Sequence, residues 1–374
     1  MPFDTVEVRI SLTKLLTAVV LVIVPLSFLG LYLTSRSYSS LEQAVGAHLR
    51  DLAQGDSSAV AQFINDRVAE VKVLAAEPAV ANAVISANRA STGLSAAVLS
   101  DKIEKTEADW NRPAGERLAG DLLSSPASVF LSRYKSLEPR LLRITVSDKN
   151  GAVVAASDKP THYLQTTQPY WQTVFSEGRS NPSVSDVLYS DEAQYEYIVI
   201  SLPILDDASH QFSGAISALV GFGSPFGLLG FEEKGNSERR LLVRNDGTVI
   251  VGPNRNVSAK IKSNEYVAVR DALGAVQGRQ AGYVVTNTPD GARIVGFADA
   301  GLNQSYPNLT WSVIASYDMS EAMLPVYMVG RFAVSMVGLS LLMLILLGVY
   351  FYLHRKQQLA VIAMEEPRHP DRAA

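Results

Sequence analysis

Aromatic and amide side chains are concentrated in one short stretch of this sequence. Six residues between positions 163 and 189 have side chains suited to holding a small molecule: Tyr163, Gln168, Tyr170, Trp171, Asp186 and Tyr189. Aromatic rings stack on flat or apolar groups, and an amide both donates and accepts hydrogen bonds, so this set could line a pocket for a small molecule. Tyr195 and Tyr197 would either join such a pocket or form one face of a strand. Asp186 and Asp191 would either bind an amine or be solvated turn residues.

No pattern typical of catalysis or metal binding accompanies these residues. The chain has five histidines, and no pair of them has the i, i+4 or His-Glu-x-x-His spacing of a metalloprotease. It has no cysteine, which excludes thiolate zinc sites, iron-sulfur clusters and cysteine nucleophiles. The Gly-x-Ser-x-Gly elbow around a nucleophilic serine is also absent. We therefore predict a protein that is not an enzyme, with no metal site and no cofactor.

Length and composition narrow the class of protein further. The 374 residues suggest two or three domains. The net charge of −4 offers no broad cationic surface for phosphates, so nucleic acid is not an expected partner. Hydrophobic residues make up 47% and charged residues 19%, whereas soluble globular chains carry about 25% charged residues. The apolar excess must therefore be localised.

Two apolar runs near the ends account for this excess. Residues 15–33 lie between Lys14 and Arg36 without a charge, and residues 332–353 lie between Arg331 and His354 without one. A helix needs roughly 20 apolar residues to cross the hydrocarbon of a bilayer, so both runs are predicted to be transmembrane helices. The alternative for the first is a cleaved signal peptide, whose apolar region is usually shorter, about 7 to 15 residues.

Basic residues predict the orientation of these helices. Arg9 and Lys14 precede the first run, and Arg355 and Lys356 follow the second, which favours both termini in the cytoplasm. Residues 1–14 would then be a cytoplasmic N-terminus and residues 354–374 a cytoplasmic tail. The expected location is the bacterial inner (plasma) membrane, in a double-pass topology with the central region periplasmic or extracellular.

The central region starts helical and then changes to strands. Apolar residues at helical spacing predict one long helix from about Ser40 to Ala76, with a possible break at Gly55, followed by shorter helices to about Arg133. A strand, a turn ending at Gly151 and a second strand come next, and the same pattern recurs 96 residues later with a turn ending at Gly247. Each hairpin is followed by two further strand-like segments. This repetition predicts an internal duplication of an α+β unit.

A glycine-rich segment separates the two copies. It contains Gly221, Gly223, Ser224, Pro225, Gly227 and Gly230. A phosphate-binding loop is one interpretation, but no Walker lysine follows and the spacing matches no dinucleotide motif. A flexible connector is the favoured interpretation.

The order of short motifs resembles the extracytoplasmic double Cache sensor domains of bacterial chemoreceptors, sensor kinases and cyclases. The resemblance covers about residues 40–325 and is carried by segments 146–151, 168–171, 185–189, 200–204, 311–314 and 321–325. It implies an α+β fold in which a long N-terminal helix and two tandem PAS-like antiparallel-sheet modules are flanked by the two transmembrane helices. The long helix and the membrane-distal module would occupy residues 40–222, and the membrane-proximal module residues 223–330.

The resemblance also implies where a ligand binds. In amino-acid-binding members of the family, a Tyr, four residues, Arg, one residue and two aromatics of the distal module grip the carboxylate. Tyr163, Gln168, Tyr170 and Trp171 keep that spacing, but Gln168 replaces the Arg, and the amine-binding Asp of the family falls at Leu219. Since an amide makes no charge-assisted bidentate bond to a carboxylate, we expect an uncharged or differently charged small molecule instead.

These features together predict a membrane-anchored sensor of a small molecule that lacks its own output domain. The resemblance implies a homodimer along the long helix and a separate effector such as a kinase, a cyclase or a chemoreceptor component. The alternative is an envelope solute-binding or scaffolding protein without transmembrane signalling. A receptor that has lost its effector is a third possibility.

Overall fold

A computed structural model describes residues 12–177, 182–190, 195–206, 209–222, 237–252, 261–275 and 280–365. The chain forms two compact units. One contains Met1–Val45 together with Met319–Ala374, and the other is Gly46–Asp318. The glycine-rich connector predicted between the modules falls in residues 223–236, apart from Gly221, and so lies outside the described residues.

Long apolar helices dominate the first unit. Helix α1 (Leu12–Ala75) begins there, and the unit also contains two later helices, α8 (Met319–Ala322) and α9 (Leu324–Glu365). Val20–Ala75 and Leu324–Leu353 are long and apolar enough to cross a membrane, by length and composition. The run predicted at 15–33 falls within α1, and the run predicted at 332–353 falls within α9. The insertion of both runs in a membrane stays a prediction.

The predicted long helix is continuous with the first apolar run. Helix α1 passes through both Pro25 and Gly55 without interruption, so the possible break at Gly55 is absent. A glycine inside a helix costs only about 1 kcal/mol relative to alanine. Burial of Ala53, Ser57 and Val60 on one face of the helix offsets a cost of this size.

Four shorter helices follow α1 in the second unit, as the sequence predicts up to about Arg133. They are α2 (Pro78–Ser91), α3 (Ala96–Trp110), α4 (Pro113–Leu123) and α5 (Pro126–Leu137). Three of them begin with proline, whose fixed φ suits the first helical position and whose missing N–H is not needed there. Ser95 and Ser125 cap α3 and α5 by accepting hydrogen bonds from the backbone N–H groups of Val98 and Ser128.

We name the first sheet with its helix the distal module, after its predicted position. Its elements are β1 (Leu141–Asp148), β2 (Val153–Ala156), α6 (Pro169–Glu177), β3 (Ser183–Val184), β4 (Leu188–Ser190), β5 (Tyr195–Leu205) and β6 (Phe212–Gly221). The strand order is β2-β1-β6-β5-β3, with β4 also paired to β5. Side chains alternate between the two faces of a strand, so Ile144 and Val146, both fully buried, lie on the face opposite to Arg143 and Thr145.

The proximal module contains the second sheet in the same arrangement. Its elements are β7 (Arg239–Arg244), β8 (Val249–Val251), α7 (Asn264–Ala275), β9 (Ala281–Thr288), β10 (Gly291–Asp299), a 3-10 turn (Leu302–Gln304) and β11 (Trp311–Asp318). The strand order β8-β7-β11-β10-β9 repeats that of the first sheet. The predicted α+β fold with two tandem antiparallel-sheet modules is therefore confirmed.

The two hairpin turns show the duplication residue by residue. The Gly151 N–H donates to the Asp148 carbonyl at 3.1 Å, and the Gly247 N–H donates to the Arg244 carbonyl at 2.9 Å. Both glycines adopt positive φ, +79° and +84°, a conformation that residues with a Cβ rarely adopt. In each copy the glycine carbonyl then accepts a bond from the segment leading to the helix, from the Gln165 N–H in one and the Ser263 N–H in the other.

Within the second unit, α1 contacts both modules. On the side of the proximal module, the Ser57 hydroxyl of α1 donates to the Asp299 carbonyl at 2.8 Å. The Tyr306 hydroxyl of the same module donates to the Asn65 side chain of α1 at 3.0 Å. Further along α1, Glu70 accepts a hydrogen bond of 3.0 Å from Tyr134 of α5. A single continuous helix therefore contacts both halves of the second unit.

Candidate ligand-binding site

The distal module encloses a cavity of about 430 Å³ on the face of its sheet that carries Arg143. Its lining comprises residues of the sheet, of the segment before α6, of α6 itself and of one proximal loop: Arg143, Thr145, Pro160, Thr161, His162, Gln165, Gln168, Pro169, Tyr170, Thr173, Ser183, Ser185, Leu188, Tyr197, Val199, Leu219 and Asn308. Sites for small molecules are commonly concave, with about 300 to 1,000 Å³ of volume and a few convergent polar groups. The cavity matches this description.

Strand register builds the floor of the cavity. Arg143 on β1 and Val199 on β5 both pair with Leu219 on β6, so the three side chains form one row across the sheet. Two residues along, the next row contains Thr145, Ser217 and Ser201, and the hydroxyls of the two serines lie 2.8 Å apart. Of these two rows, the cavity is lined by the Arg143 guanidinium, the aliphatic side chains of Val199 and Leu219, and Thr145.

The start of α6 builds the roof. Pro169 is the first residue of the helix, and the Gln168 carbonyl accepts from the N–H groups of Trp171 and Gln172 at 3.0 and 3.1 Å. The Tyr170 hydroxyl donates to Gln165 Oε1 at 2.9 Å, which holds the ring against the cavity. Burial raises the pKa of Tyr170 to about 12 against the opposing effect of the Arg143 guanidinium, so the phenol is neutral at physiological pH.

Two of the six residues predicted to bind ligand line this cavity, namely Gln168 and Tyr170. Trp171, next to them, is buried beneath the helix, where its ring stacks on Phe175 at 4.8 Å and its Nε1–H donates to Ser147 Oγ at 3.0 Å. It anchors α6 to the sheet rather than facing the cavity. The structure thus places the helix anchor and the cavity side chains on adjacent positions of one helical turn.

Tyr163 and Tyr189 lie outside the lining. The ring of Tyr163 packs on Trp110 with centroids 5.3 Å apart, and its backbone N–H donates to Glu107 Oε2 at 2.7 Å. Tyr189 lies on β4, where its neighbour Leu188 supplies the lining side chain. Tyr195 and Tyr197 were each expected either to join the pocket or to form one face of a strand. Tyr197 lines the cavity, and the ring of Tyr195 packs edge-on against the ring of Tyr197, with centroids 5.9 Å apart.

Asp186 contacts the proximal module. Its carboxylate lies 2.7 Å from Arg244 Nε on β7 and accepts a hydrogen bond of 3.0 Å from Trp311 Nε1–H on β11. The Arg244 guanidinium also donates to the Val187 carbonyl at 2.9 Å. Asp191, the other acidic residue considered as an amine partner, lies outside the described residues.

The sequence analysis did not single out Arg143, although its side chain lines the cavity. The positive charge of the cavity therefore comes from β1 and not from position 168, where the resemblance would place an arginine. The signal was present in the alternation of polar residues at Arg143, Thr145 and Ser147 within an otherwise apolar strand, which marks one polar face. Arg143 donates to Thr161 Oγ1 at 3.3 Å, and it has no carboxylate partner among the described residues.

The described lining contains no aspartate or glutamate. His162 is the other titratable base there, and its Nδ1 lies 2.8 Å from Glu107 Oε1, outside the lining. Across the described ranges of the chain, no group of three or more His, Asp or Glu side chains is placed to hold a metal ion. The cavity can thus attract an anion, stack on tyrosine rings and exchange hydrogen bonds with amides and hydroxyls.

Solved structures show a similar architecture. The sensory domain of the Campylobacter jejuni chemoreceptor Tlp3 (CcmL) matches with a TM-score of 0.50 and 11% identity, over 76% of this chain and 98% of that one. This chain has the fold of a bacterial sensory domain. The resemblance to double Cache sensor domains predicted from the sequence is therefore confirmed for the fold.

Two further matches are more distant in structure. The Tlp3 domain in complex with L-norvaline matches with a TM-score of 0.49 and 14% identity, over 77% of this chain and 96% of that one. The ligand-binding domain of the Pseudomonas aeruginosa amino acid chemoreceptor PctB in complex with L-Arg matches with a TM-score of 0.43 and 15% identity, over 75% and 98%. No protein-family model matches the sequence, and no curated protein does.

Proposed function

We propose that this chain is a double-pass membrane receptor that binds a small molecule in the cavity of its distal module, on the outer side of the bacterial inner membrane. The observation that carries the proposal is the cavity of about 430 Å³, formed by the sheet and the start of α6. Its lining combines one cation, tyrosines, amides and aliphatic side chains, which suits a metabolite-sized ligand. The sensory-domain fold supports the same role.

Ligand binding would reach the proximal module through the segment that contains Asp186. Ser185 and Leu188 line the cavity, and between them Asp186 and Val187 contact Arg244 of the proximal sheet. A ligand that moves this segment therefore changes the contact between the modules. Shifts of about 1 to 2 Å at such interfaces are typical of signalling transitions.

A ligand screen on the full chain in detergent micelles tests this function. Amino acids, organic acids, amines, purines and sugars would each be added at millimolar concentration while the melting temperature is recorded. A bound ligand raises the melting temperature, because only the folded state binds it. The Gln168→Ala variant should lose the response. The Gln172→Ala variant should keep it, because Gln172 is an exposed glutamine of α6 that does not line the cavity. Failure of every class to raise the melting temperature would contradict a small-molecule receptor.

The membrane topology has its own test. Reporter fusions after residues 14 and 354 should be active in the cytoplasm, and a fusion within Gly46–Asp318 should be active only outside it. Protease added outside spheroplasts should cleave the central unit. Protection of that unit would contradict the double-pass arrangement.

The proposal includes a homodimer along α1 and a separate effector such as a kinase, a cyclase or a chemoreceptor component. The chain has no cysteine, so single cysteines introduced at the exposed positions Gln54 and Ser58 report only on their own surroundings. Disulfide-linked dimers in membranes would support the dimer. Ligand-dependent cross-links to a second protein would separate a signalling receptor from the alternative, an envelope solute-binding or scaffolding protein without transmembrane signalling.

A further inference from the structure

The two modules carry an arginine at the same point of their first strand. The turns ending at Gly151 and Gly247 correspond, with Asp148 matching Arg244. Five residues before these positions lie Arg143 and Arg239. Strand pairing agrees with this correspondence, because Arg143 faces Leu219 on β6 and Arg239 faces Ser316 on the equivalent β11. The duplication therefore allows the two arginines to be compared directly.

In the proximal module a carboxylate of the protein partners the arginine. Glu265, the second residue of α7, is 5% exposed, and its Oε1 lies 3.5 Å from Arg239 Nη1. The same oxygen lies 3.8 Å from Arg293 Nε, and the Ser263 hydroxyl donates to Oε2 at 2.9 Å. A buried carboxylate of this kind needs cationic partners and hydrogen bonds, and Glu265 has both.

In the distal module the corresponding helix position lacks a carboxylate. The second residue of α6 is Tyr170, a neutral phenol that is already engaged with Gln165. Arg143 keeps only the 3.3 Å hydrogen bond to Thr161 among the described residues. Where the proximal module has Glu265 between helix and sheet, the distal module has open space next to a guanidinium.

We propose that the carboxylate of a ligand occupies this space and pairs with Arg143 as Glu265 pairs with Arg239. The ligand is an organic monocarboxylate with an apolar body and no ammonium group. Its apolar part lies against Leu188, Val199 and Leu219, and no described lining residue is a carboxylate that could neutralise an ammonium. This inference rests on the proposed function and names the chemical class of its ligand.

Three compounds with one carbon skeleton test the class directly: pentanoate, pentanamide and norvaline. They differ in charge, being respectively an anion, a neutral amide and a zwitterion. Titration calorimetry on the full chain in detergent micelles should show pentanoate binding about tenfold or more tighter than the other two. Benzoate and benzamide repeat the comparison of anion and neutral amide with a ring, in case the cavity prefers a flat body.

Matched variants locate the carboxylate. Arg143→Gln should abolish the preference for the anion, while Arg143→Lys should weaken it, because lysine keeps the charge but not the bidentate geometry. Arg239→Gln, the same change at the equivalent proximal position, should leave the affinity for pentanoate and benzoate unchanged.

A fourth variant reproduces the proximal arrangement in the distal module. Tyr170→Glu places a carboxylate at the second position of α6, where it should pair with Arg143 and exclude the ligand. We expect at least a tenfold loss of affinity for pentanoate together with an unchanged or higher melting temperature without ligand. The melting temperature separates this result from misfolding.

The outcomes distinguish this inference from the proposed function. Tighter binding of norvaline or pentanamide than of pentanoate, or anion binding that persists in Arg143→Gln, would overturn the monocarboxylate inference and leave a small-molecule receptor in place. A chain that binds neither series, nor any class of compound in the wider screen, would overturn both.

Discussion

The distal and proximal modules share one strand order and use the helix-facing side of the sheet differently. The corresponding rows run across three neighbouring strands of each sheet: Thr145 on β1, Ser217 on β6 and Ser201 on β5 in the distal module, and Leu241 on β7, Ile314 on β11 and Phe297 on β10 in the proximal module. The aliphatic and aromatic row packs with Tyr266 and Val269 of α7 into a continuous core. In the distal module, Thr145 of the hydroxyl row lines the cavity, which lies between the sheet and the start of α6.

The two modules differ in how much apolar packing holds the helix on the sheet, and the module with less packing contains the cavity. A helix must be held on its sheet by apolar burial, and α7 achieves this with the whole proximal core. Helix α6 is held by a smaller cluster around Trp171, Val174 and Ala215, at one end of the helix-facing side. Because this small cluster around Trp171 packs α6 on the sheet, the rest of the helix-facing side of the sheet can carry polar side chains and a ligand.

Truncating the aromatic side chain of the proximal row, Phe297, should have the largest effect on stability. Phe297 is 2% exposed, so Phe297→Ala should lower the free energy of unfolding by about 3–5 kcal/mol through lost burial and the resulting cavity. The equivalent distal change, Ser201→Ala, removes only a hydroxyl contact and should cost about 1 kcal/mol. Urea unfolding of the full chain, followed by circular dichroism, measures both. Equal costs would contradict the distinction between a filled and an open module.

Substitution at the second residue of α7 should also cost more stability than substitution at the second residue of α6. Glu265→Gln removes the negative charge beside Arg293, which is 2% exposed, and should cost about 3 kcal/mol. Tyr170→Phe removes one hydrogen bond at a cavity edge and should cost about 1 kcal/mol or less. The same unfolding measurement applies. A larger cost for Tyr170→Phe would show that the tyrosine is structural.

The contact between the modules should contribute less to stability. Asp186 and Arg244 are 34% and 27% exposed, so a double-mutant cycle with Asp186→Asn and Arg244→Gln should give a coupling energy of about 1 kcal/mol. The exposed pair Asp246 and Lys262 within the proximal turn, at 53% and 60%, should give a value near zero. If the first cycle also gave zero, Asp186 would not couple the modules energetically.

The turn aspartates should give the smallest effects, with opposite dependence on pH. Burial raises the pKa of Asp148, so its contribution improves as pH falls through the carboxyl range. Hydrogen bonding by the Thr248 N–H lowers the pKa of Asp246, so its contribution is present at neutral pH and lost on acidification. At pH 7, Asp246→Asn should lower the melting temperature, and Asp148→Asn should leave it unchanged or raise it.

Measuring both variants again near pH 3.5 checks the sign. Both differences from the unsubstituted chain should shrink there. Asp148 becomes protonated because its pKa is raised, and the stabilisation from Asp246 falls because the unfolded chain begins to bind a proton at that position. A loss of melting temperature in Asp246→Asn that grows on acidification would contradict the hydrogen-bonded, charged turn.

The regular elements were predictable because their signals are local. Proline at the first position of three helices, the glycine of each hairpin turn and the period-two pattern of β1 depend only on neighbouring residues. Strands β3 and β4 were not predicted, since segments of two and three residues are too short to show a periodic pattern. Strand β9 was also not predicted, although it pairs with the adjacent β10, because its sequence of alanine, glycine, threonine and asparagine around three larger residues is not strongly apolar.

The candidate site was only partly predictable for the same reason. Gln168 and Tyr170, which line the cavity, belong to one compact motif that the sequence alone reveals. Arg143 belongs to a strand that comes before that motif, and only the sheet register brings it next to Leu219 in the cavity. Asp186 was read as a possible ligand contact because it follows the aromatic motif in sequence, whereas its partners Arg244 and Trp311 lie in the second module.

Hydrogen–deuterium exchange of the full chain, with and without the compound that raises its melting temperature most, tests the central claim most directly. The account predicts slower exchange in β1, β5 and α6 of the distal module, with α7 and β7 to β11 of the proximal core unchanged apart from the residues that contact Asp186. Protection confined to α7 and the proximal sheet, with no change around Arg143 and Tyr170, would contradict it.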